Sequence, residues 1–193
     1  MRFLFSDECA AALKKIVAPL RNRSLDNGHK VLTHLQSIER LGENVLIYPD
    51  AEAYLERLLF RERIQTSVYA VRRDPANHAL RNSLLKVPLL PYQLDGIAFC
   101  VGAGRAVLAD EMGLGKTIKG IGVAEWLARE AGIERVLVIT PASVKSQWRN
   151  EISKLCSRDS QIVVGSAQAR AEQYQNSVFL ACAIMSKFCA TAT

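Results

Sequence analysis

From Pro91 onward, short apolar runs alternate with longer stretches of helical spacing, and this alternation restricts the fold more than any other feature of the chain. Residues 92–101 put Leu94, Ile97, Ala98 and Val101 on one helical face, and the glycines at 102 and 104 read as a helix stop. The run 105–109 (RAVLA) predicts a short buried strand, and 117–129 a helix ended near Gly132. A second strand over 135–140 (RVLVIT) leads through Pro141 into a helix over 142–155. A strand over 161–164, a helix over 167–174 and an apolar strand over 178–184 follow. Strands separated by helices of about 12 residues imply crossover connections, hence an α/β fold with a parallel sheet flanked by helices.

The pattern changes near Val87-Pro88, which divides the chain into an N-terminal extension, 1–86, and the alternating part, 87–184. The extension reads as mixed α/β. Helices are expected over 7–17, 25–41 and from Pro49-Asp50 to about 63, with Asp50 as N-cap. Strands are expected over 44–48 and, from the alternation of QTSVYAVR, over 65–72. Arg57, Arg61, Arg63, Arg72 and Arg73 make this stretch basic. They form either a solvated face or a surface for a nucleic-acid backbone.

Bulk properties exclude several classes. Apolar residues make up 49% and charged residues 23%, as in ordinary globular proteins. No apolar run reaches the roughly 18 to 20 residues of a membrane-spanning helix. The opening MRFLFSDECA is no secretory signal, so the cytoplasm is the expected compartment and a membrane is not an expected partner. Cys9, Cys100, Cys156, Cys182 and Cys189 are odd in number and contain no C-x-x-C pair, which suggests reduced thiols. His29, His34 and His78 are scattered and form no ligand pattern. The net charge of +6 suits a phosphate-bearing partner without identifying one.

The chemistry is concentrated in Asp110-Glu111-Met112-Gly113-Leu114-Gly115-Lys116-Thr117, between a predicted strand and a predicted helix. Glycines let the backbone curl so that successive N–H groups converge on phosphate oxygens. The helix that follows adds its positive N-terminal end. Lys116 is placed to reach the β- and γ-phosphates, and the Thr117 hydroxyl to ligate Mg²⁺. The expected ligand is therefore ATP with Mg²⁺, cradled by Met112, Gly113, Leu114, Gly115, Lys116 and Thr117. The general pattern G-x-x-x-x-G-K-[ST] wants glycine at position 110, where this chain has Asp110.

Three blocks resemble the first motor lobe of SWI/SNF-type ATPases, a branch of helicase superfamily two, and most closely its bacterial members. They are Leu90-Pro91-Tyr92-Gln93, the block from Asp110 to Thr117, and Thr140-Pro141-Ala142-Ser143-Val144 with Gln147-Trp148-Arg149-Asn150-Glu151. Order and spacing agree over about residues 88 to 184, and nothing before residue 80 shares the likeness. The resemblance implies a RecA-like lobe that binds ATP and, in an intact relative, translocates on double-stranded DNA beside the nucleoid. Lys116 and Thr117 would serve hydrolysis. Gln93 would read adenine, since its amide offers a donor and an acceptor that match the base's N6/N7 edge. Thr140, Pro141, Ser143 and Lys145 would meet nucleic-acid phosphates, which position a strand without reading its sequence. Alternatively, Thr140-Pro141 merely caps the next helix. Trp126, Trp148 and the methionines read as packing.

The resemblance also implies a D-E-x-H block and a second lobe, and no D-E-x-H string follows Thr140. The expectation is an incomplete lobe that binds nucleotide with little turnover and exposes a sheet edge and an apolar face. The ending, 185–193, reads as an out-of-frame tail. With one choice of codons for 183–193, the shifted frame spells Asn-Tyr-Glu-Gln-Val-Leu-Arg-Asp-Arg-Asp, a family-like continuation. Two other classes fit the phosphate loop: a small-molecule kinase or nucleotide switch, and a non-catalytic nucleotide-binding remnant. The kinase or switch explains Lys116 and Thr117 but not Gln93 or the block from Thr140 to Glu151, whereas the remnant is compatible with how the isolated chain would behave.

Overall fold

The computed structural model describes residues 27–40, 46–175 and 180–184, the last of these as backbone. The helix expected over 7–17, the tail at 185–193 and part of the strand expected over 44–48 lie outside the described residues. The chain divides into two compact units, 1–66 and 67–193, and the division falls within a single long helix.

In the first unit, α1 (Gly28–Glu39) starts at Asn27, whose Oδ1 accepts from the Lys30 N–H at 2.9 Å. Glu62, on α2 (Pro49–Arg73), accepts from the Gly28 N–H at 2.8 Å. Gly28 permits this approach, since a Cβ there would lie 2.9 Å from Leu59 Cδ2. Val31, Ile38, Leu55 and Ile64 are buried.

The strand expected over 65–72 is instead the C-terminal part of α2. Its apolar residues satisfy two periods at once. Ile64, Val68 and Val71 follow the i, i+4, i+7 spacing of a helix, and all three are buried. Asp50 and Glu52 in the first turn and Arg72 and Arg73 in the last complement the helix dipole. Residues 46–48 are irregular, so the region 27–86 is helical among the described residues rather than α/β.

In the second unit a single turn, α3 (Leu80–Ser83), precedes α4 (Pro91–Ala103). Proline at the first helical position is preorganised for a helix start. Gly104, at φ 68°, ends the helix where the sequence places a stop. Then come α5 (Lys116–Ala131), β1 (Val136–Thr140) and a 3-10 turn (Ala142–Val144). They are followed by α6 (Lys145–Leu155), β2 (Ser160–Ile162), α7 (Ala167–Gln175) and β3 (Leu180–Ile184). The strands pair in parallel in the order β1-β3-β2, with Thr140 opposite Ile184 and Ile162 opposite Cys182. Leu89, Leu94, Ile97, Ile121, Trp126 and Ile152 are fully buried. Gly122 lets α5 close on Ile97 of α4, where a Cβ would collide with that side chain.

The buried strand expected over 105–109 is not formed. The segment is irregular, and Val107 is 86% exposed. Five residues of apolar character suggest a strand, but a ladder partner makes one, and no described strand pairs with this run.

The approach to α4 is tied down through main-chain oxygens. Arg129 of α5 donates to the carbonyls of Ser83 and Leu84 at 2.7 and 2.8 Å. Its Nε donates to Glu125 at 2.9 Å, and Arg158 donates to the same buried carboxylate at 3.1 Å. Arg81 donates to Leu89 O at 2.8 Å, and the Lys86 N–H to Leu155 O at 2.8 Å.

Candidate functional site

The loop between α4 and α5 is shaped by two glycines in conformations that side chains disfavour, Gly113 at φ 88° and Gly115 at φ 76°. Gly115 is also the N-cap of α5, so the helix axis starts at the loop. A Cβ on Gly115 would lie 2.8 Å from Gln93 Nε2 and 2.7 Å from Ile118 Cγ2, whereas one on Gly113 would meet nothing within 4 Å. Gly115 is thus required twice, by its backbone and by the carboxamide pressed against it.

Gln93 is held in place from the other side. Its Oε1 accepts from the Leu90 N–H at 3.0 Å, closing the first turn of α4, which leaves the Nε2 donor facing the loop. Lys116 folds over the loop, its Nζ donating to the carbonyls of Asp110 and Glu111 at 2.8 Å each. Thr117 is half-buried in the first turn of α5. Met112 projects outward at 93% exposure, so it packs on nothing, and Leu114 is partly exposed.

Sequence reasoning did not single out Lys119. It is only 3% exposed, and its Nζ donates to Asp110 Oδ2 at 2.8 Å. The ammonium also lies 5.2 Å from the centroid of the Tyr92 ring. A signal was present in the helical spacing, which puts residue 119 on the same face as Gly122 and the buried Trp126. Cys100 is nearby. Burial raises its thiol above the ordinary value, and the Lys119 charge opposes part of that rise.

The second predicted cluster stands at the carboxyl end of β1. Thr140 is buried and its Oγ1 has no hydrogen-bond partner among the described residues, so the hydroxyl does not face solvent. Pro141 and Ser143 are exposed and Lys145 is half-buried at the start of α6. Trp148 packs beside Gly120 of α5, and Trp126 lies in the core, in keeping with packing roles. No hydrogen bond among the described residues joins this cluster to the loop. No group of three or more metal-ligating side chains occurs among the described residues, and none of their helices is long and apolar enough to cross a membrane.

A glycine-bent loop feeding a helix, a lysine folded over it and a glutamine amide against its last glycine stand together where the sequence leads one to expect a phosphate loop. Residues 92–185 match the SNF2-related domain, the family to which this segment is similar. The chain is 44% identical over 71 residues to the DNA annealing helicase and endonuclease ZRANB3 of Bos taurus, covering 36% of this chain and 6% of that protein. It is 41% identical over 93 residues to the SWI/SNF-related matrix-associated actin-dependent regulator of chromatin subfamily A-like protein 1 of Bos taurus, covering 47% and 10%. It is 28% identical over 176 residues to the DNA repair and recombination protein RAD54-like of Drosophila grimshawi, covering 80% and 22%. The chain thus spans at most about a fifth of the length of these relatives.

Proposed function

We propose that the second unit is the nucleotide-gripping part of a first RecA-like lobe, and that it serves an ATP-dependent motor acting on double-stranded DNA. The observation that carries this reading is the packing of the Gln93 amide against Gly115, which joins an adenine-reading group to a phosphate cradle. Lys116 would exchange its two loop carbonyls for β- and γ-phosphate oxygens, a stronger pairing because both partners are charged. Loop N–H groups and the start of α5 would complete the grip. Thr117 would supply one oxygen to Mg²⁺, which keeps most of its remaining ligands as water and phosphate. Bound, the metal would neutralise developing charge on the phosphates. With the Thr140 hydroxyl enclosed, nucleic-acid phosphate would be met by Ser143, Lys145 and the main chain after Pro141. By this reading, nucleotide binding would close two lobes over the duplex in the protein containing this chain.

The test is a titration of the 193-residue chain with a fluorescent ATP analogue and magnesium. Lys116→Ala should weaken binding by at least about tenfold, the scale of one charge-assisted contact. Chelating magnesium should weaken it further in the unaltered chain. Equal uptake by the chain and the variant would refute the reading.

A further inference from the structure

The general phosphate-loop pattern has glycine where this chain has Asp110, and no residue other than glycine takes positive φ here. The backbone at 110 therefore does not call for glycine, and the aspartate is available for another task. Its carboxylate is spent on Lys119, a side chain almost wholly enclosed. Surface ion pairs are common and weak, but a lysine enclosed to this degree is rare without a dedicated partner.

Three further features accommodate it. The lysine stem crosses α4 at Gly96, where a Cβ would lie 3.0 Å from Lys119 Cε. Its ammonium lies over the Tyr92 ring. Its own N–H donates to Gly115 O at 3.0 Å in the first turn of α5. Tyr92 and Gly96 belong to the same stretch of α4 as Gln93, and the Asp110 carbonyl is one of the two that hold Lys116. One side chain thus joins the start of the loop, the start of α5 and the stretch of α4 that presents the amide.

We propose that Lys119, bonded to Asp110 across the face of Tyr92, is a positioning residue that fixes the spacing between the phosphate grip and the base-reading amide of Gln93. It touches neither phosphate nor base. The proposal rests on the nucleotide reading above and adds to it how base and phosphate recognition are kept in register. A misplacement of about 1 Å between two recognition elements costs selectivity as well as affinity, because the base then cannot meet its amide once the phosphates are seated.

The experiment compares magnesium-ATP and magnesium-GTP affinities of the full chain, its Lys119→Met and Asp110→Asn variants, and Asp110→Glu. Circular dichroism melts confirm folding. The unaltered chain should prefer ATP, and Lys119→Met should lower that preference by about tenfold, beyond any common loss of affinity. A merely structural loosening would weaken both nucleotides alike and leave their ratio unchanged. Asp110→Asn, at the more accessible end of the pair, should reproduce the loss if Lys119→Met does not fold, and Asp110→Glu should retain most of the preference. A preference unchanged in folded Lys119→Met or Asp110→Asn overturns the proposal while leaving the nucleotide site standing. Failure of the unaltered chain to take up either nucleotide overturns both.

Discussion

The two loop glycines look equivalent in the sequence but are not so in space. Gly113 needs its conformation alone, whereas Gly115 needs its conformation and the volume that a methyl group would occupy. Forcing an L side chain into the left-handed region costs roughly 1 to 2 kcal/mol. Gly113→Ala should therefore lower stability by about that amount and keep most nucleotide affinity. Gly115→Ala should lose stability by a larger margin and, by pushing Gln93 aside, lose most affinity for ATP. Thermal melts paired with a nucleotide titration check both. Equal effects of the two substitutions would mean that the contact with Gln93 is incidental.

Among the elements, α5 serves two purposes. Its first turn receives the loop, and its last turn carries Arg129, which holds Ser83 and Leu84 by their carbonyls and shares Glu125 with Arg158. Removing a charged donor from two main-chain acceptors and a buried carboxylate should cost about 2 kcal/mol, tempered by the partial exposure of the guanidinium. Chemical denaturation of Arg129→Ala tests this, and a loss below about 0.5 kcal/mol would show the clamp to be ornamental. Helix ends were legible in the sequence where local chemistry marks them: Pro91 opening α4, Gly104 closing it, Gly132 closing α5. The bent loop at Gly113 and Gly115 was legible for the same reason, since its glycine spacing is local. Residues 65–72 and 105–109 were misread because apolar content is shared by helix, strand and loop, and neighbours distant in sequence decide among them. Lys119 escaped notice because the value of a charge depends on enclosure, and enclosure by Tyr92 and Gly96 is a tertiary fact.

At the scale of the whole molecule, the alternation on β1 leaves Leu137 and Ile139 directed outward at 39% and 42% exposure. Parallel sheets are ordinarily covered on both faces, and exposed apolar patches drive association. The 193-residue chain should self-associate as its concentration rises, and a Leu137→Thr, Ile139→Thr double variant should do so less at an unchanged melting temperature. Light scattering across a dilution series measures this; scattering that is independent of concentration in the unaltered chain would contradict it. The family match begins at Tyr92, yet compact unit two begins at Ser67. Between these points lie the carbonyls of Ser83 and Leu84 and the Lys86 amide that the matched segment grips. Anyone who trims the gene to the borders of the matched domain would leave Arg129 and the Leu155 carbonyl reaching for partners that were cut away. The working border of this piece is therefore a matter of hydrogen bonding, upstream of where the domain match begins.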